Sequence, residues 1–146
     1  VSVPMTLMKL DIPWSFVNIK WKEYYFFGGT RIVDAAVLFT PNTYINGQLM
    51  CLSFQFQKHL SLGRGGAILC DNEEDAIALK KMSYDGRLPE IPWRDQNIES
   101  YGYHYYMTPE DAARGIILMD QVPEKNLDSG NNRTYSDLST KKVFYE

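Results

Sequence analysis

The chain has 146 residues, 45% hydrophobic and 23% charged, with a formal net charge of -3. That balance suits one ordinary globular domain or part of a larger one, and it gives no electrostatic basis for binding nucleic acid. No apolar run approaches the roughly 20 residues a membrane helix needs, and no basic-then-apolar leader is visible.

Residues 1–30 are rich in aromatics, from Trp14 and Phe16 to Tyr24, Tyr25, Phe26 and Phe27. The segment shows neither a two-residue nor a 3.6-residue period, so it stays poorly assigned, and its opening residues read as extended and uncapped. After Gly28-Gly29, the run Arg31–Val37 reads as a buried strand with Asp34 near its end. Pro41-Asn42 and Asn46-Gly47 mark turns. Leu49–Phe54 is a second apolar strand and Ala67–Cys70 a third, joined through the turn Gly63-Arg64-Gly65-Gly66. These two strands suit an antiparallel pair, with the Lys58 segment in the connecting loop.

A helix follows. Asn72 is its N-cap, Glu73, Glu74 and Asp75 favour its positive end, and Lys80 and Lys81 its negative end, with Gly86 as a stop. Residues 87–101 are a loop containing Pro89 and Pro92. A second helix starts at Thr108-Pro109, with Asp111 completing a box-like cap. Ala112, Ala113, Ile116, Ile117 and Met119 give it an apolar side, and Pro123 ends it. Residues 123–146 read as a polar loop or tail. Strands alternating with helices predict an α/β layered fold. Cys51 and Cys70 make no disulfide framework, which predicts free buried thiols in a cytoplasmic protein.

Asp34 and Ser53 sit near strand ends, where open α/β sheets bind ligands. Taken alone, each candidate has an ordinary reading. A lone lysine such as Lys58 is a solvated charge, an aspartate after a strand is a turn or cap residue, and His59 and His104 are partly buried histidines. No Cys/His spacing points to a metal. Gly63-Arg64-Gly65-Gly66 lacks the lysine and hydroxyl pattern of a phosphate loop and reads as a strand connection.

Four segments in order change that reading. They are Ile32-Val33-Asp34-Ala35-Ala36, Ser53-Phe54-Gln55-Phe56-Gln57-Lys58-His59, Gly63-Arg64-Gly65-Gly66-Ala67, and Gly102-Tyr103-His104-Tyr105-Tyr106-Met107 with Ala112-Ala113. Together they resemble the DegT/DnrJ/StrS family of sugar aminotransferases across roughly residues 30–122. The resemblance implies the large domain of a fold-type-I enzyme dependent on pyridoxal phosphate. It implies a mostly parallel sheet with an antiparallel hairpin and flanking helices, the cofactor core spanning residues 31–122. Lys58 would supply the primary amine that carries the cofactor. Asp34 would hold the proton on the cofactor ring nitrogen, Ser53 would bind the phosphate, and His104 would reach the phosphate in a neighbouring subunit. The implied reaction moves an amino group, usually from glutamate, to a nucleotide-linked keto-sugar, in a homodimer or higher oligomer.

The chain departs from the family pattern in named places. Val37 stands where members carry Gln, His or Glu, His104 where they carry Asn, and Tyr106 where they carry Arg. Relatives with histidine in place of the lysine are sugar dehydratases, but the Ser53-to-Lys58 spacing keeps Lys58 rather than His59 in register. The chain opens on Val1, and family members are more than twice its length. A fragment is therefore expected, with a truncated, non-catalytic cofactor-binding or assembly domain, or a dehydratase on the same cofactor, as alternatives.

Overall fold

The computed structural model describes residues 1–126, 130, 131, 133 and 135–145. Its elements in chain order are α1 (Ser2–Lys9), β1 (Tyr25–Phe26), β2 (Ile32–Asp34), β3 (Leu49–Ser53), β4 (Gly66–Leu69), α2 (Glu73–Ser83) and α3 (Pro109–Met119), with short 3-10 turns at Trp93–Asp95, Leu138–Thr140 and Lys142–Phe144. The chain divides into two compact units, Val1–Lys22 with Gly130–Glu146, and Glu23–Ser129. No helix among the described residues is long and apolar enough to cross a membrane.

In the first unit α1 forms where the sequence reads as extended. It lacks a side-chain cap, and Pro4 lies in its first turn, a position where proline costs no helical hydrogen bond. The aromatic residues that follow find one another: Trp14 and Phe16 meet edge-to-face at 4.8 Å, and both approach Phe144.

The second unit holds the sheet, in the order β1-β2-β3-β4. β2 and β3 are parallel, while β1 pairs with β2 and β4 with β3 in antiparallel fashion. The β3–β4 hairpin is as expected, but the sheet is not mostly parallel. The reason lies in the aromatic run, which supplies β1 as an antiparallel edge strand. Its alternation is plain once seen: the Tyr25 ring packs tilted beside Phe27 on one side, and Tyr24 edge-to-face with Phe26 on the other.

Val33 and Met50 are neighbours in register and are fully buried with Ala35, Leu38 being nearly so, under Tyr24, Tyr44 and Ile45. Val33, Leu38 and Met50 each contribute about 1.5–3 kcal/mol by burial, and the single methyl of Ala35 less. A second cluster of Phe54, Leu60 and Leu62 packs against Phe39, Met107, Leu118 and Val122.

α2 and α3 begin where their caps predict. Asn72 Oδ1 accepts from the amides of Glu74 and Asp75, and Thr108 Oγ1 accepts from that of Asp111. Arg31 clasps Asp75 through two hydrogen bonds of 2.8 and 2.9 Å, tying the first turn of α2 to the start of β2. The inner side of α3 is a correction. Gly115 is its buried residue, whereas Ile116, Ile117 and Met119 are exposed. A side chain at Gly115 would meet Leu62 Cδ1 at 3.2 Å, so close packing selects the smallest residue. Cys51 and Cys70 are free, and half-buried rather than buried.

Candidate cofactor site

Asp34 ends β2, and Ser53 ends the parallel strand β3. Their positions follow from the register, Asp34 pairing with Cys51 and Ser53 lying two residues further on. Because strand side chains alternate between faces, Asp34, Cys51 and Ser53 share one face while Val33, Met50 and Leu52 take the other. Thus an acidic, a thiol and a hydroxyl group stand together at the carboxyl ends of a parallel pair, where α/β sheets bind ligands.

The Asp34 carboxylate is held on both oxygens. Oδ1 accepts from the Ala36 amide at 2.9 Å, and Oδ2 from the Tyr25 hydroxyl at 2.6 Å. Tyr25 is opposite Asp34 in the β1–β2 ladder, so the strand pairing itself delivers the hydroxyl. Burial, and after it the nearby Asp34 charge, pushes the Cys51 thiol up from its ordinary value. The thiol therefore stays neutral beside the carboxylate.

Lys58 lies in the loop that leaves β3. The loop is fastened at its base, where Leu62 donates to the Phe54 carbonyl and Phe54 to that of Gly65, each at 2.9 Å. Leu60 and Leu62 are buried on either side of Ser61 and anchor the returning arm. Lys58 itself closes a turn, its amide donating to the Gln55 carbonyl at 2.9 Å. Its half-buried side chain has no hydrogen-bonding or ionic partner among the described residues. The Ser53 hydroxyl accepts a long hydrogen bond from the Gln55 amide at 3.4 Å. The glycine turn after the loop is required by space: Gly63 and Gly65 have left-handed φ of 93° and 89°, and a side chain at Gly66 would collide with the Leu52 carbonyl.

His104 has other partners. Its stretch runs along the end of α2, with Tyr103 donating to Met82 and Tyr105 to Ser83. Gly102 lets this stretch cross Gly86, since a side chain there would collide with the Gly86 amide. The His104 ring lies 2.9 Å from Asp85 through Nδ1, and 2.9 Å from the Tyr106 hydroxyl through Nε2. The His104 hydrogen bond, with Arg87 adding to it, holds the Asp85 carboxyl below its usual range. Arg87 in turn stacks on Tyr84 and Trp93. The fold thus brings Asp34 and Ser53 to the same end of the sheet as the Lys58 loop, and gives His104 to Asp85 and Tyr106. A groove of ≈ 410 Å³ lies apart from the strand ends, lined by Ile77, Lys81, Met82 and Tyr101.

Sequence reasoning missed two participants, Tyr25 and Asp85. Tyr25 sits in an unbroken aromatic run that offers no contrast between faces. Asp85 carries a left-handed φ of 57°, a signal that sequence shows only as Asp85-Gly86. Among the described residues, no group of three or more His, Cys, Asp or Glu is arranged to hold a metal ion.

Comparison with known families gives one match. Residues 45–136, well over half of the chain, match the DegT/DnrJ/EryC1/StrS aminotransferase family. The span includes Ser53, Lys58 and His104 and begins after Asp34. No curated protein and no solved structure matches the chain. The chain belongs to the DegT/DnrJ/EryC1/StrS aminotransferase family, whose members depend on pyridoxal phosphate.

Proposed function

We propose that the chain carries the cofactor core of an enzyme that transfers an amino group, from an amino acid such as glutamate, to a nucleotide-linked keto-sugar. The observation that supports it most is the shared position of Asp34 and Ser53 at the carboxyl ends of parallel β2 and β3, with the Lys58 loop leaving the same strand end.

The residues present fit the cofactor chemically. An ionised carboxylate has about four acceptor positions. Asp34 uses one on each oxygen, so a further position remains for a ring N–H. Among the described residues the Ser53 hydroxyl is engaged only by a 3.4 Å contact, which leaves it open to a phosphate oxygen. Among the described residues the Lys58 ammonium group has no partner, as a covalent carrier requires.

Pyridoxal phosphate, when bound, supplies an electron sink for the carbon that exchanges its amino group. Lys58 Nζ would carry the cofactor and, once released by the amino donor, move a proton at the reacting carbon. Asp34 would keep a proton on the ring nitrogen. Ser53 would orient the phosphate, and His104 would act toward a neighbouring subunit. The exposed Ile116, Ile117 and Met119 on α3 favour a homodimer or larger assembly as the working form. The core is assigned to residues 31–122, and the free cysteines suit a cytoplasmic setting.

The test is incubation of the chain with pyridoxal phosphate, glutamate and a nucleotide-linked keto-sugar, followed by mass analysis of the sugar. Replacement of the keto oxygen by an amine supports the reading. Loss of a sugar hydroxyl without amine incorporation identifies a dehydratase instead, and an unchanged sugar with retained cofactor identifies a non-catalytic binding domain.

A further inference from the structure

Tyr25 belongs to the part of the chain that the family match does not cover, and its hydroxyl is committed to the carboxylate on which the proposed site depends. We propose that Tyr25 is a positioning residue for Asp34, setting the direction in which the carboxylate presents itself to a bound pyridinium ring. The inference rests on the cofactor reading of Asp34 given above.

The geometry carries it. The O···O separation of 2.6 Å falls in the range of a hydroxyl bonded to an ionised carboxylate, which is stronger than a neutral hydrogen bond. The two donors to Asp34 come from different elements: Tyr25 from the adjacent strand, and Ala36 from the turn that follows β2. A carboxylate gripped at one oxygen can still turn about its side-chain bonds. Gripped at both oxygens from separate segments, it has one orientation, and its remaining acceptor positions have fixed directions.

Tyr25 is itself well placed to hold still. It is paired with Asp34 in the antiparallel ladder, and its ring lies 5.6 Å from that of Phe27, on the same face of β1. The flank of Asp34 on the β3 side is Cys51, its register partner and an uncharged thiol. Among the described residues, Tyr25 and the Ala36 amide are therefore the groups that steer the carboxylate.

The experiment is a double-mutant cycle on cofactor binding in the full chain, with Tyr25→Phe, Asp34→Asn and the double variant. Pyridoxal phosphate affinity is read by equilibrium titration, and the pH profile of the bound cofactor's visible band is read alongside. Circular dichroism checks that each variant folds. Tyr25→Phe is expected to weaken binding about tenfold in the unmodified background, the scale of one hydrogen bond to a charged group, and to shift the band's pH profile. In the Asp34→Asn background the same change is expected to have little effect, within about twofold. Equal losses in both backgrounds, or no loss and no spectral shift in either, would overturn the inference while leaving the cofactor reading in place. If Asp34→Asn alone leaves affinity and spectrum unchanged, or the unmodified chain binds no cofactor, the reading of Asp34 fails and the inference with it.

Discussion

Replacing Gly66 by alanine should destabilise the chain far more than the same replacement at Gly28, and the difference tests how the β3–β4 hairpin is built. Gly66 pairs with Ser53, the last pair of the ladder before the Lys58 loop. A side chain there would drive into the carbonyl of Leu52, a backbone atom that cannot swing away. Relief would require the strands to part, which on the scale of overpacked sites costs about 1–3 kcal/mol or somewhat more. At Gly28 nothing lies within 4 Å and no left-handed φ is imposed. Alanine there restricts chiefly the unfolded chain and should be neutral or stabilising by up to about 1 kcal/mol. The expected gap between the two variants is therefore about 1–4 kcal/mol, read as a shift in urea midpoint at constant slope. Because the strained pair includes Ser53, Gly66→Ala should also weaken pyridoxal phosphate binding, and Gly28→Ala should not. Equal stability of the two variants would refute the close approach of β3 and β4.

Two other outcomes follow from the electrostatics. Asp71 is held below its usual range first by the Gly47 amide, Asp75 by Arg31, and Asp85 by His104. Each folded carboxyl takes up its proton less readily than the unfolded one, so stability is fully present above the ordinary carboxylate value of about 4 and is lost as the pH falls below it. Urea midpoints measured from pH 7 to pH 3 should show that decline, and Asp75→Asn should make it shallower. Separately, burial and the Asp34 charge raise the Cys51 thiol, so Asp34→Asn should speed iodoacetamide labelling of Cys51 at pH 8, as followed by peptide mass analysis. An unchanged rate would argue that Asp34 and Cys51 are not neighbours.

The parts of the fold that were legible are those whose signals are local. Asn72 and Thr108 satisfy amides two or three residues away, so the starts of α2 and α3 could be read from a few letters. The glycines at 63, 65 and 66 mark the hairpin because only they tolerate its backbone and its closeness to β3. What stayed hidden was tertiary. In Tyr24–Phe27 every position is aromatic, so alternation leaves no trace in the letters, and β1 with its Tyr25–Asp34 hydrogen bond could not be foreseen. In α3 the apolar side read from Ile116, Ile117 and Met119 points outward, because contact with Leu62 demands a glycine. For the site, Asp34, Ser53 and Lys58 stood out by motif and spacing. The partners of His104 did not, since Asp85 is 19 residues away in the chain.

Lys58 is the residue proposed to carry pyridoxal phosphate. Incubating the chain with the cofactor, reducing with borohydride and mapping the labelled peptide tests it directly. One reduced adduct is expected, on Lys58, and it should be absent from a folded Lys58→Ala variant. The substitution should itself change stability by only about half a kcal/mol, because the side chain has no partner to lose among the described residues. A specific adduct on another lysine, such as Lys80 or Lys81 of α2, would contradict it.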